Sequence, residues 1–264
     1  MAWDPAQYQV FREQREAPFV DLLALAQFHP GQRIIDLGCG TGDLTARLAA
    51  LVPESRVVGI DSSTTMQQQA QKLVHPRLQF RLGRIEEFID GTLPDLPTEP
   101  ADVLFSHAAL QWVDDHPALF ARLIERLPPS GQLLVQMPSN SDHVSHRIVR
   151  EVVASEPFRS ALQGYARRSP VLSIADYAEL LFRLGIPRPI VIEKVYAHTL
   201  ADSQAVLQWV RGTLLVPYLE RLPTTLHDDF LRVLGQRFAQ ALPDRPCFYG
   251  FRRILIAAQR PAAS

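Results

Sequence analysis

The chain of 264 residues predicts an α/β fold, a largely parallel sheet with helices on both faces. Five short apolar runs carry that expectation: Arg33–Leu37, Arg56–Ile60, Leu78–Leu82, Ala101–Phe105 and Gln132–Met137. Each is rich in β-branched or large apolar residues and is bounded by turn formers, which is how a buried strand reads. Helix-like segments lie between them at Asp43–Leu51, Ser63–Val74 and His116–Leu127. Strands and helices in strict alternation give right-handed βαβ units and a parallel sheet. The first run also ends in a cluster of glycines, Gly38, Gly40 and Gly42, where a strand has to turn sharply into a helix.

After Pro138 the pattern changes. Ser141–Ser155 and Ile174–Leu184 read as helices, and Ile190–Tyr196 alternates like a strand with one wetter face. Asp202–Leu222 and Thr224–Leu242 read as helical again, interrupted by Pro217 and Pro223, before a last strand at Phe251–Ala258. The organisation expected is a single domain over 1–264, with a core over about 1–137, 186–199 and 249–260. Helical cap insertions occupy about 138–185 and 200–248.

Composition narrows the function classes. With 27 basic and 28 acidic side chains the net charge is -1, which argues against a nucleic-acid partner. No apolar run approaches the length of a membrane span, and the N-terminus lacks the basic and apolar regions of a secretory signal. Two cysteines, Cys39 and Cys247, make no disulfide framework, so a cytoplasmic location is expected. The expected partner is a small molecule, and the expected assembly a monomer or small homo-oligomer.

The most informative segment is Ile34-Ile35-Asp36-Leu37-Gly38-Cys39-Gly40-Thr41-Gly42. Its spacing is G-x-G-x-G, not the G-x-G-x-x-G that seats a pyrophosphate. Asp61 ends the second strand, 23 residues after Gly38, where a carboxylate can accept both hydroxyls of a ribose. A ribose seat without a phosphate seat, beside the acidic Asp36, suits a cationic nucleoside.

With this loop the chain resembles the class I S-adenosylmethionine-dependent methyltransferases. The resemblance implies their Rossmann-like fold, a seven-stranded mostly parallel sheet with a helical cap, and S-adenosyl-L-methionine as cofactor. It implies that Gly38 and Gly40 approach the methionine part, Asp61 holds the ribose and Met66 packs on the adenine. Asp36, Ser62, Arg84, Ile85, Ser106 and Ala108 complete the expected cofactor contacts. Further stretches look like the trans-aconitate methyltransferases: Trp3-Asp4-Pro5-x-x-Tyr8, Ser106-His107-Ala108-Ala109-Leu110-Gln111-Trp112, Val135-Gln136-Met137-Pro138, His146 with Arg150-Glu151, Tyr196-x-His198, Trp209-Val210 and Arg253. That family implies methyl transfer to a carboxylate of a small organic acid, trans-aconitate first. Tyr8, Gln111, Trp112, His146, Tyr196, His198, Arg211 and Arg253 are then the acceptor-pocket candidates.

The chain departs from the family pattern at three places. Ala17-Pro18 and Val216-Pro217 stand where the family carries arginines, and Arg84 stands where an acidic residue faces the adenine amine. Glu86 or Glu87 is the expected substitute for that acid, and Arg211 for a lost cation. Two alternatives remain open from the sequence. One is a methyltransferase of this fold acting on a hydroxyl or carbon of another small molecule; the other is a non-catalytic S-adenosylmethionine-binding protein. His143-x-x-His146 has a metal-like spacing, but with no third ligand nearby it reads as a helix start with exposed histidines. No metal is expected.

Overall fold

The computed structural model describes residues 12–96 and 99–263. Its seven-stranded sheet has the order β3-β2-β1-β4-β5-β7-β6. The strands are β1 (Arg33–Leu37), β2 (Arg56–Asp61), β3 (Leu78–Leu82), β4 (Val103–His107), β5 (Gln132–Pro138), β6 (Ile190–Leu200) and β7 (Cys247–Gln259). β1 to β5 pair in parallel, and β7 enters antiparallel to β5 with Gln136 opposite Leu255 and Pro138 opposite Arg253. The mostly parallel seven-stranded sheet expected from the sequence is the sheet observed.

Two compact units make up the chain. The sheet unit comprises Glu13–Pro138, Pro170–Lys194 and Arg253–Ser264. Alternate strand residues feed its two cores: Ile35, Leu37, Leu104, Leu133 and Val135 enter one, Ile34, Val103, Phe105 and Leu134 the other. A period of two sends successive side chains to opposite faces, so each face needs its own cover. The second core is closed by α1 (Arg12–Leu23), α2 (Asp43–Leu51) and α3 (Thr64–Ala70), which supply Phe19, Leu22, Leu48 and Ala70. The first is closed by α4 (Ile85–Asp90) and α5 (His116–Glu125), whose start is capped by the Asp115 carboxylate.

The helical unit contains Ser139–Ser169 and Val195–Arg252. Its helices are α6 (Val144–Val153), α7 (Phe158–Ala161), α9 (Ser203–Arg211), α10 (Val216–Leu219) and α11 (His227–Ala241). Ile148, Val152, Phe158, Val206, Trp209, Tyr218, Phe230, Leu234 and Tyr249 form its core.

Three expectations are corrected. The cap was expected to run to residue 185, but α8 (Ile174–Arg183) buries Tyr177 and Leu181 in a core of the sheet unit. The interruption within 202–222 falls at Gly212–Leu215, while Pro217 opens α10, where its missing N–H has no helical acceptor to lose. The fourth strand starts at Val103 because the Asp102 carboxylate turns back to accept the backbone N–H of Arg33 (2.8 Å).

Candidate active site

Side chain by side chain, the glycine loop explains its own sequence. Gly38, Gly40 and Gly42 have φ of 81°, 56° and 81°, the left-handed region that favours glycine. A Cβ on Gly38 would lie 2.1 Å from that of Ala109, so the loop after β4 presses directly on this turn. Four of the loop amides are already spent: Gly38 and Cys39 donate to the carbonyl of Ile60 (2.8 and 3.0 Å), Gly40 to Asp61 Oδ2 (2.9 Å) and Gly42 to the carbonyl of Cys39 (3.1 Å). A phosphate cradle needs such amides free, which agrees with the absence of the pyrophosphate spacing.

The acids beside the loop are held for a different ligand. Asp61 accepts from the Gly40 and Ser63 amides through separate oxygens (2.9 and 2.8 Å), and each oxygen keeps a second lone pair. Burial raises its pKa, against the pull of those two hydrogen bonds. Asp36 is buried on β1; Oδ2 accepts from Thr45 Oγ1 at 2.6 Å, and Oδ1 has no hydrogen-bond partner. Burial lifts its pKa to about 7, with the Thr45 hydrogen bond opposing and the charge of Asp61 adding. A buried carboxylate with one idle oxygen beside a second acid fits a cationic ligand and repels an anionic one.

Around them, the Ser63 hydroxyl caps α3 by accepting from the Met66 amide (3.3 Å), and Met66 is buried while Ser62 is exposed. Ser106 Oγ donates to the carbonyl of Leu37 (2.8 Å), tying β4 to the start of the loop. Ala108 adopts φ 57°, a strained conformation for alanine, and donates its N–H to the carbonyl of Gln136 (2.8 Å). Ile85 is half-buried against the core. Arg84 is exposed and paired to Glu86 (2.9 Å), while Glu87 reaches back to the Arg84 amide (2.7 Å). Both acids expected to substitute for the family's acidic residue are thus engaged with Arg84 itself.

Of the acceptor-pocket candidates in the sheet unit, Gln111 and Trp112 lie on a short 3-10 turn, Leu110–Trp112, following β4, and Gln111 Nε2 donates to the carbonyl of Ala108 (2.7 Å). Arg253 is 4% exposed, and its Nη1 donates to Gln136 Oε1 at 3.3 Å. In the helical unit, His198 stacks on Trp209 with ring centroids 5.0 Å apart, and Tyr196 is buried. His146 and His143 are half-buried rather than exposed, because α6 packs its apolar face inward and His143 turns to cap it; His143 lies edge-on to Tyr249. Burial, with His143, Arg150 and Arg167 nearby, pushes the His146 pKa down to about 3. Arg211 is exposed in the last turn of α9, a placement explained by favourable interaction with the helix dipole. Tyr8 lies outside the described residues. Among those residues there is no group of three potential metal ligands, and no helix is long and apolar enough to cross a membrane.

Two polar features escaped the sequence reading. Gln136 is a fully buried polar residue within the apolar run of β5, which Gln132 opens. His116, whose pKa burial lowers, donates from Nε2 to the carbonyl of Leu110 (3.1 Å) and is bonded through Nδ1 to the Tyr177 hydroxyl, which also takes the Leu172 amide (3.2 Å). That buried relay fixes the turn carrying Gln111 and Trp112.

The sheet order and a glycine turn built for a cation define a methyltransferase of the class I fold. A family profile described as a methyltransferase domain matches residues 28–167. Solved structures agree on the fold: the YcgJ protein of Bacillus subtilis (TM-score 0.60, 16% identity, 94% of this chain and 100% of that one) and the mycolic acid cyclopropane synthase CmaA1 complexed with S-adenosylhomocysteine (0.55, 15%, 94% and 85%). Sequence relatives are nearer. Trans-aconitate 2-methyltransferase of Deinococcus radiodurans is 41% identical over 99% of both chains, and those of Acidovorax sp. and Rhizobium meliloti are 37% and 36% identical over 98% of this chain. The chain belongs to the trans-aconitate 2-methyltransferase family.

Proposed function

We propose that the chain transfers a methyl group from S-adenosyl-L-methionine to one carboxylate of trans-aconitate, forming a monomethyl ester. The observation that carries this reading is the kinship over the full length, 41% identity across 99% of both chains, to a relative named for that reaction. When bound, S-adenosylmethionine supplies an electrophilic methyl on a sulfonium.

Asp61, pinned by two backbone amides, offers its remaining lone pairs to the ribose hydroxyls. Asp36 supplies negative charge for the cationic methionine part, and Gly38, Gly40, Ser106 and Ala108 shape its seat. Ser62, Met66, Arg84 and Ile85 are assigned to the adenosine side. Arg84 cannot accept from the adenine amine, so that contact needs another acceptor.

The acceptor needs no general base: a carboxylate with a pKa near ~4 is already ionised at neutral pH. The work left to the chain is to aim one oxygen, exclude water and balance the other charges. Gln111 and Trp112 are assigned as a wall of the acceptor site, and Arg253 as a cation for its carboxylates.

Methyl-labelled S-adenosylmethionine tests the reading, with trans-aconitate, cis-aconitate, citrate and isocitrate as acceptors. Base-labile label in the trans-aconitate product is expected. Cofactor binding without transfer to any of these acids would reject it.

A further inference from the structure

The carboxylate of Asp36 takes its hydrogen bond from outside the glycine loop. Thr45, in the first turn of α2, is 0% exposed, and its Oγ1 donates to Asp36 Oδ2 at 2.6 Å while Oδ1 has no partner. That is the length of a charge-assisted O–H···O⁻ bond, which favours the ionised carboxylate over the acid. Valine has the same shape and would fill the position without burying a polar atom, so the hydroxyl is explained by Asp36 rather than by packing.

The other groups around Asp36 do not do this work. Asp61, at the end of β2, adds repulsion, and the Cys39 thiol is pushed up by burial and by the charges of Asp36 and Asp61, so it stays neutral. On α2, Asp43 takes the Thr41 hydroxyl (2.7 Å), and Arg47 turns to Glu16 of α1 (3.6 Å) and to the ring of Phe19. On β4, Phe105 pairs with Asp36, and His107, two residues on, shares that face and lies edge-on to Phe19. Thr45 is the group that opposes both burial and the Asp61 charge.

We propose that Thr45 is a positioning residue of the cofactor site: its hydroxyl fixes Asp36 and keeps it ionised, so that β1 presents a negative charge to the cationic part of S-adenosylmethionine. This rests on the assignment of Asp36 to that part of the cofactor. Thr45 acts through the carboxylate.

Thr45→Val keeps the shape and removes the donor. Calorimetric titration with S-adenosylmethionine, with no acceptor present, should give an affinity that rises with pH around a midpoint about one to two pH units above that of the wild type. At pH 7 the variant should bind roughly 5- to 50-fold more weakly, the gap closing to about twofold by pH 9. Thr45→Ser returns the hydroxyl and should restore the wild-type profile. In an Asp36→Asn background Thr45→Val should shift nothing, which separates Asp36 from His107 as the titrating group. Where the valine variant binds too weakly to titrate, melting of the ligand-free protein decides. A carboxyl held above its unfolded value penalises the fold as pH rises, so the melting-temperature deficit of Thr45→Val should grow from pH 5 to pH 8.5. A midpoint equal to that of the wild type, or in the second case a deficit independent of pH, would mean that Thr45 only packs, and would overturn the proposal. The expected midpoint shift, with no methyl transfer to any of the acids, would leave the role of Thr45 standing and reject only the proposed reaction.

Discussion

Two pairs of polar side chains in the sheet unit are opposite in sign. Asp36 and Asp61 sit on β1 and β2; Gln136 and Arg253 sit on β5 and β7, with β4 between the two sets in the sheet. The acidic set is locked largely by backbone: Asp61 takes two amides, and the Gly38 and Cys39 amides of the loop are held by the carbonyl of Ile60 on β2. The cationic set is built from side chains that meet across 117 positions of sequence. On the proposed function this separation keeps the cationic methyl donor apart from the anionic acceptor, since each set would repel the other's ligand. The difference also says how each half should fail.

The acidic set should fail hardest. Asp61→Ala removes the proposed ribose acceptor together with the acceptor of the Gly40 and Ser63 amides, and S-adenosylhomocysteine affinity is expected to fall at least ~100-fold, about 2.7 kcal/mol or more. Unchanged affinity by calorimetry would remove Asp61 from the cofactor site. On the other side, Arg253→Met should raise the KM for trans-aconitate by roughly 10- to 100-fold while sparing the cofactor. An equal loss of cofactor affinity would erase the distinction between the two sets.

Asp36 sharpens the comparison through pH. Its folded pKa, raised to about 7 by burial, means the ligand-free fold holds a proton that the unfolded chain, at 3.8, releases. A cationic ligand favours the ionised form, so affinity for S-adenosylmethionine should rise as pH goes from 6 to about 7 and flatten above, by up to roughly tenfold. Asp36→Asn should abolish that slope. The same burial penalises the ligand-free fold above about pH 7, and the penalty fades as pH falls towards 4, so the asparagine variant should melt higher at pH 8. The smallest effect belongs to the His116–Tyr177 relay behind the Leu110–Trp112 turn. Tyr177→Phe removes the partner of His116 and should cost about 1–2 kcal/mol of stability by denaturant unfolding, with kcat changed by less than about twofold.

Much of this was legible beforehand. Each of the five parallel strands is a run of a few residues, and the glycine turn and Asp61 stand at the ends of two such runs, so local propensity and spacing act on them directly. The sheet's last pair was legible as strands but not as partners: nothing local says that Arg253 will face Gln136. Likewise α8 reads as one more amphipathic helix of a cap, and only the burial of Tyr177 and Leu181 assigns it to the sheet core. The histidines of α6 looked solvent-facing because i,i+3 spacing reports a shared face, not what covers that face.

The sequence by itself determined the alternating architecture, the reversal at the glycine loop and the class of cofactor, because each depends on residues a few positions apart. Only the tertiary structure decided that the loop's amides are taken up chiefly by Ile60 and Asp61 of β2, that Asp36 keeps an idle buried oxygen, and that Gln136 and Arg253 meet across β5 and β7. Those are properties of desolvation and of contacts between distant strands, and they exist only once the sheet has closed.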